Sequence, residues 1–258
     1  MQKNLKQKLE YHYSAFDRSK LSPDPLEFPH RFTNPLEIEL VAFIASVFAY
    51  GNVRQIGTAL EQILRIMKQT PLKYLQHSSP SGIKKDFHSL THRFYTPQDS
   101  ARLFQLLAEL YSKGQTLKYL FESFYNGGEI KSAISSFQKY FLAHSTNHPK
   151  PTPGFRFMFP LPEKGSACKR INLFLRWMVR KDELDFGFWD FIPPSKLIIP
   201  VDTHIARIAI SLKLTTRKNV SWQMAEEITS NLGKFDPVDP VKYDFALCHI
   251  GIRKLSFD

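Results

Sequence analysis

Apolar residues in this chain return every three or four positions over most of its length, and no stretch alternates apolar with polar residues between hairpin turns. A period near 3.6 buries one stripe of a helix, whereas a half-buried strand needs a period of two. The pattern predicts an all-α fold. Leu5, Leu9, Tyr13 and Phe16 make a first amphipathic helix that Pro23 and Pro25 close. Thr33-Asn34-Pro35-Leu36 then gives a polar cap and a proline at a first helical turn, and an apolar run extends to Tyr50. Gly51 breaks the run, and Val53 to Met67 resumes it with Ile56, Leu60, Ile63, Leu64 and Met67 on one face. The spacing continues through Ile83, Phe87, Leu90 and Phe94 to Phe141, and these phenylalanines read as core formers.

With 258 residues, 43% of them hydrophobic, the chain can bury a full core in one large domain or two small lobes. Lys and Arg outnumber Asp and Glu by 35 to 24, and the resulting charge of +11 favours an anionic partner, either nucleic acid or an acidic membrane surface, between which charge alone does not choose. The longest apolar stretch, Leu40 to Tyr50, is short of the roughly 18 to 20 residues that span a bilayer, so no membrane role is expected. Cys168 and Cys248 are far apart, and the basic first residues lack the apolar core of an export signal. A reducing cytoplasm fits. His144 and His148, in a polar connection between Ala143 and Gly154, have no second ligand pair at a matching spacing and read as solvated loop residues.

Two segments carry chemistry. In Gly165-Ser166-Ala167-Cys168-Lys169-Arg170, a glycine turn leads into an amphipathic helix, an arrangement that presents backbone N–H groups to a phosphate. In Pro200-Val201-Asp202-Thr203-His204-Ile205-Ala206-Arg207, Asp202 stands at the mouth of another helix, where its simplest role is an N-cap.

The second segment resembles the aspartate segment of helix-hairpin-helix base-excision DNA glycosylases, the endonuclease III group. The first resembles their hairpin and lysine segment, and Leu36 to Leu64 resembles their early helix, turn, helix. The three lie in the right order. The 33 positions between Lys169 and Asp202 are similar to the archaeal 8-oxoguanine DNA glycosylase branch. Two departures stand out: Ala167 replaces the second hairpin glycine, and no cysteine follows Cys248 to build an iron–sulfur cluster. No cofactor and no metal are expected.

The resemblance implies two helical lobes, residues 1–45 plus 195–258 and residues 46–194, with a helix-hairpin-helix motif and an active cleft between the lobes. It implies a monomeric, nucleoid-associated enzyme acting on double-stranded DNA that contains a damaged base, both glycosylase and AP lyase, with 8-oxoguanine as the leading lesion. Lys169 is the nucleophile it assigns, its pKa lowered by burial and by Arg170, and Asp202 is the carboxylate that stabilises positive charge on the deoxyribose. Tyr50, Gly51 and Asn52 would enter the duplex, Arg54 would touch the opposite strand or a phosphate, and Lys164, Gly165, Ser166, Ala167 and Arg170 would hold phosphates. Asp244 maps to a carboxylate that holds the extruded base, and Cys248 stands where an aromatic is expected. Phe174 and Trp177 are candidates to sandwich the base. The alternatives are a glycosylase for an oxidised pyrimidine, a mismatched adenine or an alkylated base, a noncatalytic DNA-binding module, and a basic helical protein that binds RNA or a protein partner.

Overall fold

Among the described residues proline opens five α-helices, at Pro35, Pro71, Pro80, Pro97 and Pro153. Its fixed φ suits a first turn, and its missing N–H is one that the helix leaves unpaired there. The computed structural model describes residues 2–143 and 150–253. Those residues form α1 (Gln2–Ser14), α2 (Pro35–Phe48), α3 (Val53–Ile66), α4 (Pro71–His77), α5 (Pro80–Asp86), α6 (Pro97–Ser112) and α7 (Leu117–Tyr125). After them come α8 (Ile130–Ala143), α9 (Pro153–Met158), α10 (Lys169–Val179), α11 (Thr203–Ser211), α12 (Trp222–Gly233) and α13 (Asp244–Arg253). Among the described residues the only β-type pairing is in two isolated bridges, His92 with Tyr95 and Lys181 with Phe186. The all-α expectation holds. No helix among them is long and apolar enough to cross a membrane. His144 and His148 lie outside the described residues.

The chain divides into two compact units, Ser22–Leu161 and Met1–Leu21 with Pro162–Asp258. These boundaries differ from the expected 1–45 plus 195–258 and 46–194, and packing explains both differences. In the first unit, every residue of α2 from Ile38 to Phe48 is buried, and α3 and α4 pack against it, so this helix is a core element rather than part of a terminal lobe. Segment 162–194 is tied to the N-terminal residues instead. Tyr13 donates to Asp182 Oδ2 at 3.1 Å and Arg18 Nε donates to the Glu183 carbonyl at 2.8 Å.

Asn34 caps α2 by accepting from the Leu36 N–H, as its position before Pro35 predicts. One charged group inside that helix has a structural use. Glu39, only 4% exposed, accepts from Tyr111 Oη at 2.8 Å and from the backbone N–H groups of Leu117 and Lys118 at 3.0 Å each. Its carboxylate thus satisfies the first turn of α7 and compensates the helix dipole there. Replacing it by Ala leaves those donors buried without a partner, and we expect a loss of about 2–4 kcal/mol in urea unfolding.

In the second unit α1 and α11 pack on α13, and Trp177, Trp189 and Trp222 are fully buried. After α10 the chain folds back on that helix, with Phe186 and Trp189 donating from their N–H groups to the carbonyls of Trp177 and Met178 at 2.8 Å each. Two arginines of α10's C-terminal end join this layer to the rest. Arg180 pairs with Asp182, Asp185 and Asp239, while Arg176 pairs with Asp185 and with Asp244 of α13.

Candidate active site

The approach to α10 is a short 3₁₀ turn, Pro162–Lys164, followed by Gly165 at φ +83, a conformation open to glycine at little cost. A second left-handed residue ends the turn, and it is Cys168 at φ 48, not Ala167. The missing glycine at Ala167 therefore costs nothing in φ. The Gly165 carbonyl accepts from the Trp222 N–H at 3.1 Å, and the Ala167 carbonyl accepts from Asn172 Nδ2 at 3.0 Å.

This turn delivers Lys169 as the first residue of α10. Asp202 is the N-cap of α11, where its Oδ1 accepts from the N–H groups of His204 and Ile205 at 2.8 and 3.0 Å. Its other oxygen, Oδ2, accepts from Lys169 Nζ at 2.8 Å. The capping role and the pairing role thus belong to one carboxylate, each using its own oxygen. Both partners keep some solvent contact, with side chains 29% and 22% exposed. They meet inside one compact unit, whereas the sequence suggested that they face each other from two lobes.

Burial alone would lower the pKa of Lys169, but the Asp202 carboxylate, helped by Cys248 and Asp244, outweighs it and the amine is held above its ordinary value. The expected depression is therefore corrected: a carboxylate in hydrogen-bond contact counts for more than Arg170 nearby. Burial pushes Asp202 up while Lys169 and the Ile205 N–H pull it down, and the net direction is down.

α13 brings up two more of the expected residues. Asp244 and, one turn later, Cys248 both act electrostatically on Lys169. Asp244 is buried, and burial pushes it up to about 6 while Arg176 and Lys169 pull against the rise. Its Oδ2 accepts from Arg176 Nη1 at 2.5 Å, and its Oδ1 accepts no hydrogen bond from the described residues. Cys248 is partly exposed, and neither it nor Cys168 is in a disulfide. Among the described residues no group of three His, Cys, Asp or Glu side chains is placed to hold a metal ion.

The sequence model of one family, described as "Protein of unknown function (DUF2400)", matches residues 24–253. The chain belongs to the DUF2400 family. No curated protein and no solved structure matches it. In this DUF2400 protein, Lys169, Asp202, Asp244 and Cys248 all fall inside the matched span.

Other expected site residues lie elsewhere. Arg170 is 8% exposed and already engaged within the protein, so it presents no guanidinium to a phosphate. Phe174 and Trp177 are fully buried, the former edge-on to Trp189 at 5.0 Å, and they serve the core. Lys164 is exposed, and Gly165 and Ser166 are partly so, while Ala167 is 5% exposed.

In the unit 22–161, Gly51 adopts φ +105 and Asn52 spends its side chain capping α3, accepting from the Arg54 N–H at 2.9 Å. Tyr50 is partly buried against Phe157 at 4.7 Å. The projecting aromatic beside this turn is one that the spacing assigned to the core. Phe94 is 59% exposed because the chain from His92 to Tyr95 closes a bridge with Arg93 at φ 56 and turns the ring outward. It stands 6.0 Å from the Tyr50 ring, and His92 Nε2 lies 3.0 Å from the Tyr50 carbonyl. Arg54 and Arg93 line an adjoining concavity of about 450 Å³ with Gln55, Thr58 and Thr91. A Gly or Pro near position 93 would have signalled the turn, and the sequence has neither.

Proposed function

We propose that this protein is a DNA glycosylase with AP-lyase activity that removes an oxidised purine, foremost 8-oxoguanine, from double-stranded DNA. One observation carries the reading: Lys169 Nζ and Asp202 Oδ2, 33 positions apart, meet at 2.8 Å at the first turns of two helices and keep partial solvent contact. A nucleophilic amine and a carboxylate at one carbon are what base excision through a covalent intermediate requires.

The chemistry runs as follows. Lys169, which keeps solvent contact, gives one ammonium proton to water, and its lone pair attacks C1′ of the deoxyribose as the bond to the base breaks. The base departs with the bonding electrons and takes up a proton. Asp202 stabilises the positive charge that develops on the sugar before the new C–N bond is complete. The adduct opens to a Schiff base, whose electron demand allows proton loss from C2′ and elimination of the 3′ phosphate. Asp244 holds an N–H of the extruded base with Oδ1, while Arg176 fixes the carboxylate through Oδ2. Arg54 and Arg93, in the unit 22–161, are candidates for phosphate contacts.

The test is borohydride trapping on a duplex with a single 8-oxoguanine, with a panel of other lesions in parallel. A trapped adduct supports the reading and names the lesion. An adduct only with another lesion moves the assignment to that base. Failure on every lesion, with duplex binding intact, leaves the noncatalytic module. A pH profile adds an independent check. An Asp244 that accepts from the base must be ionised, so single-turnover excision is expected to fall as pH drops through about 6. Asp244→Asn should remove that limb, and an unchanged limb in the variant rejects Asp244 as its source.

A further inference from the structure

We infer that the outer face of α11 and the turn after it form a strip that binds the sugar–phosphate backbone of DNA beside the Lys169–Asp202 pair. The inference rests on reading that pair as a DNA-acting site, and it concerns residues to which the resemblance gives no role.

Charge is the first argument. From Thr203 to Ala225 the sequence has no Asp or Glu, yet it carries Arg207, Lys213, Arg217 and Lys218 together with His204. All five are exposed. Arg217 pairs with Glu227 at 2.9 Å, whereas the side chains of Arg207, Lys213 and Lys218 make no ion pair or hydrogen bond among the described residues. The arginines of α10 show the contrast, because Arg176 and Arg180 are buried and each is matched by carboxylates. Cations left unmatched in one row have a fold-independent use for an anion.

Geometry is the second argument. On α11 the buried positions are Ile205, Ala206 and Ala209, and the exposed ones include His204, Arg207, Ile210 and Ser211, so the exposed residues share one stripe. Arg207 lies five residues past Asp202, about 7.5 Å along a helix. That is on the order of two phosphate steps of one strand at 3.4 Å each along a duplex axis. Ile210, 43% exposed within the stripe, offers an apolar contact to a sugar face.

Continuity is the third. The stripe begins at Asp202, the N-cap of α11. Its far end is pinned to the turn before Lys169, because Trp222 donates its N–H to the Gly165 carbonyl at 3.1 Å, next to exposed Lys164. The row thus begins on the helix that Asp202 caps, and the chain that follows its last cation, Lys218, is tied at Trp222 to the turn before Lys169. A backbone strand laid along it passes the pair. Phosphates carry no sequence information, so the contact is expected to be independent of sequence and strongly dependent on salt.

The experiment titrates the full-length protein with a fluorescent, undamaged duplex of about 20 base pairs between roughly 0.05 and 0.2 M salt. The triple variant Arg207→Ala, Lys213→Ala, Lys218→Ala is compared with the charge-keeping triple Arg207→Lys, Lys213→Arg, Lys218→Arg. A second comparison is a control triple in the other unit, Lys68→Ala, Lys73→Ala, Lys84→Ala. With one phosphate per cation, the slope of log K against log salt should shrink by about 2.7 in the alanine triple. Its affinity at 0.1 M salt should fall on the order of tenfold to a hundredfold. The charge-keeping and control triples should hold the wild-type slope, and a matching thermal melt shows that the alanine triple is folded.

A wild-type slope in a folded alanine triple overturns the strip and leaves the glycosylase reading untouched. A reduced slope in a protein that traps no lesion keeps the strip and removes the reading. Wild-type protein that ignores the duplex but binds vesicles rich in anionic lipid, or an acidic polypeptide, overturns the strip as a DNA contact.

Discussion

Lys169→Gln is expected to abolish borohydride trapping and to slow base excision by at least about a thousandfold, roughly 4 kcal/mol of transition-state stabilisation. The size follows from what surrounds the amine. Its charged neighbours are Asp202, Asp244 and the Cys248 thiol, and none of these is an amine that can form a Schiff base in its place. The fold should survive the change, because Asp202 continues to cap α11 through the His204 and Ile205 N–H groups. The ion pair itself is partly exposed and screened, so its loss should cost on the order of 1 kcal/mol of stability or less. The sign of its pH dependence is fixed by the shifts. Lys169, raised in the folded state, stabilises fully below the ordinary lysine value of 10.5, and that contribution is lost as pH rises through the folded pKa. Asp202, lowered in the folded state, stabilises above its ordinary 3.8, and its contribution is lost as pH falls through the folded pKa. Between about 5 and 9 these two groups contribute a flat cost, but Lys169 also holds Asp244 down, so the cost of Lys169→Gln should rise as pH rises through about 6. Excision by the wild type should still climb across that range, because only the neutral amine attacks. Asp202→Asn removes the main group that raises Lys169, so its lower maximal rate should be reached at a lower pH. A Lys169→Gln protein that still traps would place the nucleophile elsewhere.

How much of this was written in the sequence depends on the range over which each feature is decided. Helix boundaries at Asn34-Pro35 and the Asp202 cap are local, set by a side chain and an N–H two or three residues away, and the sequence shows them directly. The meeting of Lys169 with Asp202 was not locally visible, and its expectation came from resemblance in three ordered segments. The lobe boundaries could not be read from composition, because they depend on tertiary ties such as Tyr13 with Asp182. Periodicity treats every apolar residue alike, which is why Phe94 was counted as core, whereas Phe174 was named a site candidate because the resemblance calls for aromatics around an extruded base. One positive φ at Arg93 and one close ring at Trp189 decide those two cases. The raised pKa of Lys169 escaped for a similar reason: adjacency in sequence pointed to Arg170, but the nearest charge in space is Asp202.

Arg176→Met is expected to give the largest loss of stability of any single change in the unit that holds the site, about 3–5 kcal/mol, or on the order of 10 °C in Tm. The Arg176 side chain is 3% exposed and serves two buried carboxylates, Asp185 at 3.2 Å and Asp244 at 2.5 Å. Methionine keeps much of the volume, so the cost comes from leaving those carboxylates partly uncompensated rather than from a cavity. Arg180 still pairs with Asp185 in the variant, whereas Asp244 loses its hydrogen-bonded cation. The pH dependence tells this mechanism from a packing defect. Asp244 is already raised from 3.8 to about 6, so the folded state binds more protons than the unfolded state between those values, and this group's contribution declines as pH rises through the window. Without Arg176 its folded pKa rises further. The deficit should therefore be largest at pH 8 and should shrink as the carboxylate is protonated toward pH 5, in urea unfolding at both values. Adding Asp244→Asn to Arg176→Met should recover part of the loss at pH 8 and little at pH 5. A deficit equal at both pH values, and unmoved by the second substitution, would assign the cost to packing and leave Asp244 without a need for its arginine.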